Sequence, residues 1–112
     1  MTEPIRKLRD TAVVTLEGVL DHYNGAQVRR QLLAALEQAR DVVVDFSRVT
    51  WADSSAAANL VEALRLARGN GGDLALVAVR PAVMKLLELV RLDRIFPIHE
   101  TLDGALGAGS PK

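Results

Sequence analysis

A chain of 112 residues is long enough to close one hydrophobic core without staples. Its 49 % apolar and 25 % charged residues describe an ordinary globule, and the absence of cysteine excludes disulfides, thiolate chemistry and cysteine-bound zinc. Lysine plus arginine and aspartate plus glutamate both number 14, so the formal net charge is zero; with only 4 % aromatics, no direct nucleic-acid partner is expected.

Met1-Thr2-Glu3-Pro4 carries an early acid and no apolar block behind it, which is not the pattern of a secretory signal. The longest apolar run, Leu74 to Val79, falls far short of the roughly 20 residues that span a bilayer. A cytoplasmic protein without membrane insertion is the expectation.

Ile5 to Leu8 and Ala12 to Leu16 read as two short strands joined by a turn at Arg9-Asp10-Thr11. Gly18 and the segment Asp21 to Gly25 mark a loop. From Ala26 the period changes: Val28, Leu32, Ala35, Leu36 and Ala39 recur at helical spacing, with Asn24 placed to cap. Asp41 opens a β-branched run, Val42 to Phe46, whose continuity predicts a strand buried on both faces.

A second helix begins near Ser54, with Ala57, Leu60, Val61, Leu64 and Ala67 on one side, and Gly69-Asn70-Gly71-Gly72 stops it. Leu74 to Val79 predicts another buried strand. Pro81 suits the first turn of a third helix that turns Val83, Leu86, Leu87 and Val90 inward. Phe96-Pro97-Ile98 reads as a last short strand, and Leu102 to Leu106 as a brief helix. Strands alternating with helices imply an α/β fold with a mostly parallel sheet and right-handed crossovers. The reading gives one domain over residues 1–106, then a disordered tail at 107–112.

Three polar clusters fall where strands hand over to helices, the usual place for function in open α/β sheets. They are Asp21-His22-Tyr23-Asn24, Thr50 to Ser55, and the approach to Arg80-Pro81. Asp53-Ser54-Ser55 is first of all a good helix cap. A second serine exceeds what one cap requires, and Ala56-Ala57-Ala58 leaves little side-chain bulk over the helix start.

A hydrolase built on Ser54, His22 and Asp21 lacks the glycine-flanked nucleophile elbow. Asp21, Asp45 and Asp53 have no metal-ligand spacing, and Asp45 reads equally well as a satisfied polar residue at a strand end. The acid pair and late lysine of a phosphorylated receiver are not clearly placed. Gly69 to Gly72 precedes a strand, so it gathers no amides for a phosphate. Trp51 is expected to pack in the core, with an interface role as the alternative. His99 reads as structural or surface. No cofactor and no metal are expected.

The run from Val42 through Asp45-Phe46-Ser47-Arg48-Val49-Thr50-Trp51-Ala52-Asp53-Ser54-Ser55 resembles the signature of STAS domains, particularly bacterial anti-sigma factor antagonists. The likeness extends to Leu16 to Asp21, Gly71 to Val77, Pro81-Ala82-Val83 and Ile98 to Leu106. It implies a STAS fold: a mostly parallel mixed sheet of four to five strands with about four helices. It also implies a switch rather than an enzyme. The partner would be an anti-sigma factor that is also an ATP-dependent serine kinase, and a metal-dependent phosphatase would reset the cycle. Ser54 corresponds to the phosphorylated serine. Asp21, His22, Asp53, Ser54, Ser55, Ala56 and Asn59 would face the partner, and the chain would be a monomer or weak dimer. Ala56 stands where phosphorylated members usually carry glycine; its Cβ would either narrow access for a kinase or sit harmlessly within the helix. The alternative is a non-phosphorylated STAS subunit of a lipid-transport or stress-sensing complex.

Overall fold

Residues 5–108 are described by a computed structural model. Strand β1 (Ile5–Leu8) turns through Arg9, at φ 57°, into β2 (Thr11–Leu20) and pairs with it antiparallel. Helix α1 (Gly25–Gln38) leads to β3 (Asp41–Ala52), α2 (Ser54–Gly69) to β4 (Leu74–Val77), and α3 (Pro81–Leu89) to β5 (Ile98–His99). Helix α4 (Leu102–Ala108) follows. The sheet order is β1-β2-β3-β4-β5, with every pairing after the first parallel.

Alternation along the strands divides the core in two. Ala12, Val14 and Leu16 of β2, Val42, Val44 and Phe46 of β3, and Leu74 and Leu76 of β4 meet α1, α2 and α3 on one face. Val13, Val43 and Val77 meet Ala105 of α4 on the other. Successive right-handed crossovers in one direction put the first three helices on the same side, which leaves the second face to a helix of seven residues. No polar or charged residue is buried among those described.

Two strands outrun their sequence-predicted lengths for one reason. The β2–β3 register steps from Thr15↔Asp45 to Glu17↔Arg48, then from Gly18↔Val49 to Val19↔Trp51, so β3 carries an extra residue twice. Each bulge changes the spacing of buried positions from two to three, giving Phe46, Val49 and Ala52. The continuous β-branched run that predicts the strand stops at Phe46, before the first bulge is passed. Gly18, which marked a loop in the sequence, lies inside β2 between the two irregularities.

Other boundaries move too. Strand β4 ends at Val77 because Ala78, at φ 56°, turns the chain away. Phe96 belongs to the end of a short 3-10 turn over Leu92–Arg94, and only Ile98 and His99 form β5. Val90 caps α3 and is exposed rather than inward. Helix α4 runs two residues past Leu106; positions 109–112 of the expected tail lie outside the described residues.

Helix α2 stops as the glycines suggested, by a complete Schellman pattern. The Gly72 amide donates to the Ala67 carbonyl at 2.9 Å, and the Gly71 amide to the Arg68 carbonyl at 3.1 Å. Gly71 takes the left-handed conformation at φ 88°.

Candidate functional site

The second bulge of β3 delivers Ala52 into the core and Asp53 to the sheet's carboxyl edge, where α2 begins. Asp53 takes an extended conformation and its amide donates to the Leu20 carbonyl at 2.9 Å, joining the ends of β2 and β3. Its carboxylate is fully engaged. Oδ1 accepts from the Ser55 amide at 2.9 Å, the Ser55 hydroxyl at 2.6 Å and the Ala56 amide at 3.3 Å. Oδ2 accepts from the His22 amide at 3.2 Å, and the His22 Nδ1 atom lies 3.8 Å away. One side chain thus caps α2 and pins the loop after β2 against it.

The Ser55 hydroxyl, assisted by the amides of Ala56, Ser55 and His22, holds the Asp53 carboxyl below its ordinary value, against the opposing effect of burial. A depressed carboxylate stabilises the fold above its unfolded-state pKa and stops doing so as pH falls through its folded value. We expect thermal stability to fall steeply below about pH 4, and less steeply in Asp53→Asn. At neutral pH, Asp53→Ala should lower Tm by about 5 °C. Thermal melts of both variants across pH check this.

Ser54 is the member of the triplet left unengaged. It is exposed at the first helical position, and its hydroxyl makes no hydrogen bond among the described residues, whereas Ser55 is half-buried and tied to Asp53. The two serines that were adjacent letters in the sequence have different surroundings.

The remaining candidates sort by contact. Asp21 turns into its own loop, its Oδ1 accepting from the Tyr23 and Asn24 amides. Asn24 makes no side-chain cap to α1; its Oδ1 accepts from the Asp21 amide and its Nδ2 donates to the Val19 carbonyl at 2.7 Å. His22 is exposed beside Asp53. Asn59 is half-buried and donates to the Gly25 carbonyl at 3.0 Å, tying α2 to the start of α1. Ala56 is only 3 % exposed and packs in the main core, so its side chain offers nothing to a partner. Its Cβ packs inward, whereas Ser54 is exposed.

Trp51 corrects the sequence reading. It is 50 % exposed, not packed in the core. Among the described residues, no group of three or more histidines, aspartates or glutamates converges as a metal cage. The Arg80 cluster is structural: its guanidinium donates twice to the Ser47 carbonyl, at 3.1 and 2.9 Å. No helix among the described residues is long and apolar enough to cross a membrane.

A family profile described as "Mlab, STAS domain" matches residues 5–102. The anti-sigma F factor antagonist of Paenibacillus polymyxa is 31 % identical over 100 residues, 88 % of this chain and 86 % of that protein. Among solved structures, a serine-to-glutamate variant of RsbS from Moorella thermoacetica superposes with a TM-score of 0.78 at 30 % identity, covering 94 % of this chain and 92 % of its own. SpoIIAA in its unphosphorylated form gives a TM-score of 0.79 at 23 % identity over 96 % of this chain and 97 % of its own. Its phosphorylated form from Bacillus gives 0.71 at 22 % identity over 95 % and 97 %; at these identities the likeness is one of fold. A five-stranded mixed sheet and these matches agree: the chain belongs to the STAS-domain family of anti-sigma factor antagonists.

Proposed function

We propose that the protein binds an anti-sigma factor through the carboxyl edge of its sheet, and that phosphorylation of Ser54 by that partner, acting as a serine kinase, releases it. The observation that carries this reading is the freedom of the Ser54 hydroxyl beside a fully engaged Asp53. An unbonded hydroxyl on a rigid helix start is reachable by a kinase and can be modified without breaking a contact of the fold. The relatives named as anti-sigma factor antagonists support the class of partner. The protein acts here as ligand and substrate, with no catalytic group of its own, and a phosphatase returns it to the binding form.

The test is calorimetric. Each anti-sigma factor of the serine-kinase class in the source genome is purified with nucleotide and titrated with the unphosphorylated chain. Saturable one-to-one binding to one of them is the expected result; no heat with any of them sinks the proposal.

The second reading, from the family resemblance, is a constitutively bound STAS subunit of a lipid-transport or stress-sensing assembly. That reading predicts no phosphate on Ser54 and complex formation that is indifferent to Ser54→Asp.

A further inference from the structure

The chain contains one tryptophan, one tyrosine and two phenylalanines. Both phenylalanines are buried, Phe46 at 0 % and Phe96 at 4 % exposure. Trp51 and Tyr23, by contrast, are 50 % and 86 % exposed. Both lie at the Ser54 end of the molecule. Trp51 is three residues before Ser54, so their Cα atoms are at most about 11 Å apart. Tyr23 follows His22, whose amide donates to Asp53 Oδ2 and whose ring lies 4.0 Å from the tyrosine ring.

The sheet supplies the rest of the patch. Val19 is the register partner of Trp51 and is 46 % exposed. Leu20 and Ala52 point into the main core, so Val19 and Trp51 face the opposite side. Among the described residues, helix α4 meets that side around Val13, Val43 and Val77. One step along it, Glu17 and Arg48 pair across the strands at 3.8 Å, a polar border to the apolar rung.

We infer that Trp51, Val19 and Tyr23 form the apolar anchor by which the anti-sigma factor grips this protein beside Ser54. The inference rests on the proposed function. Continuity with the Asp53–Ser54 junction selects this occupant over a second copy of the chain, because a partner that reaches Ser54 must cover the adjoining surface. A half-exposed tryptophan and an exposed tyrosine beside a polar border have the composition of binding hot spots, where truncating one residue typically weakens affinity about 30-fold or more. The anchor also separates two jobs: apolar contact holds the partner, and the charge state of Ser54 decides whether it stays.

The lone tryptophan makes the test direct. With the anti-sigma factor identified by calorimetry and nucleotide present, its binding should shift Trp51 emission to shorter wavelength, read against a Trp51→Phe control that removes this chain's signal. Trp51→Ala and Tyr23→Ala should each weaken binding about 30-fold with unchanged circular dichroism. If wild type binds tightly while both variants bind within threefold and the emission does not move, the anchor is wrong and the proposed function stands. If no anti-sigma factor binds wild type, both fall. A blue shift with rising concentration of the chain alone would assign the face to self-association and overturn the inference. Should Trp51→Ala fail to fold, the wild-type emission and Tyr23→Ala decide.

Discussion

Phosphorylation of Ser54 is expected to weaken the complex with the anti-sigma factor by about 100-fold or more, while leaving the fold intact. A phosphate adds about −1.5 to −2 charges and three acceptor oxygens. Within the domain those charges arrive at the first turn of a helix of 16 residues, where the macrodipole favours an anion. The Asp53 carboxylate opposes this from the preceding position, but its two oxygens are already held by four donors. We expect no such compensation across the proposed interface. An uncompensated charge against a surface matched to a hydroxyl costs several kcal/mol, and each 1.4 kcal/mol or so is tenfold in affinity. Ser54→Glu carries half the charge and should lose about tenfold to 100-fold, with Tm within a few degrees of wild type. Ser54→Ala should bind like wild type and accept no phosphate. Calorimetry paired with melts separates a switch from a folding defect, since only the former changes affinity alone.

Gly72→Ala should be the most destabilising alanine substitution among the glycines at the end of α2. A Cβ at Gly72 would overlap the Arg40 carbonyl group and stand 2.9 Å from the Arg40 Cβ. Both partners are fixed at the start of β3, where the Val42 amide donates to the Asp73 carbonyl and the Asp73 amide to the Asp41 carboxylate. Backbone cannot step aside as the tip of a side chain can. We expect a loss of about 3 kcal/mol or more, which lowers Tm by roughly 15 °C. Gly71→Ala meets only the end of the Arg40 side chain but must hold φ 88°, a strain of about 1–2 kcal/mol. Gly69→Ala meets nothing within 4 Å at the last helical position and should be neutral or slightly stabilising. The order of melting temperatures checks the geometry: Gly69→Ala highest, Gly71→Ala between, Gly72→Ala lowest.

That glycine run shows what was legible in the sequence. A helix stop follows from composition, because only glycine reaches the left-handed region freely. Why two glycines are needed does not, since the reason at Gly72 is a carbonyl 32 residues earlier in the chain. The same division holds elsewhere. Helices α1 and α2 were readable because Val28, Leu32 and Ala35, then Leu60, Leu64 and Ala67, face one core at helical spacing. The length of β3 was hidden because its two bulges shift the buried positions, and a shifted period looks like the end of a strand. Ala78 and Arg91 adopt positive φ without being glycine, so the end of β4 and the 3-10 turn had no signal in residue type.

At the site, Asp53 as cap was readable, and the structure added its second job on His22. The asymmetry between Ser54 and Ser55 was not, because both serines are small and polar and only the Asp53 geometry tells them apart. Asn24 sits at the right position to cap α1, yet its side chain found better partners at Asp21 and Val19. Ala56 posed a steric question that the direction of its Cβ answers: it packs inward, where 3 % of its surface remains exposed. Trp51 was assigned to the core on the general habit of large aromatics, but the parity of its strand turns it outward.

The central claim is that the exposed Ser54 hydroxyl, not the engaged Ser55 hydroxyl, is the modified group. Incubating the protein with its anti-sigma factor kinase and ATP, followed by intact-mass and peptide mass spectrometry, tests this most directly. The account predicts one added phosphate, mapped to Ser54, and none on Ser54→Ala. Phosphate on Ser55, or an unmodified chain in a complex that ATP does not dissociate, would contradict it.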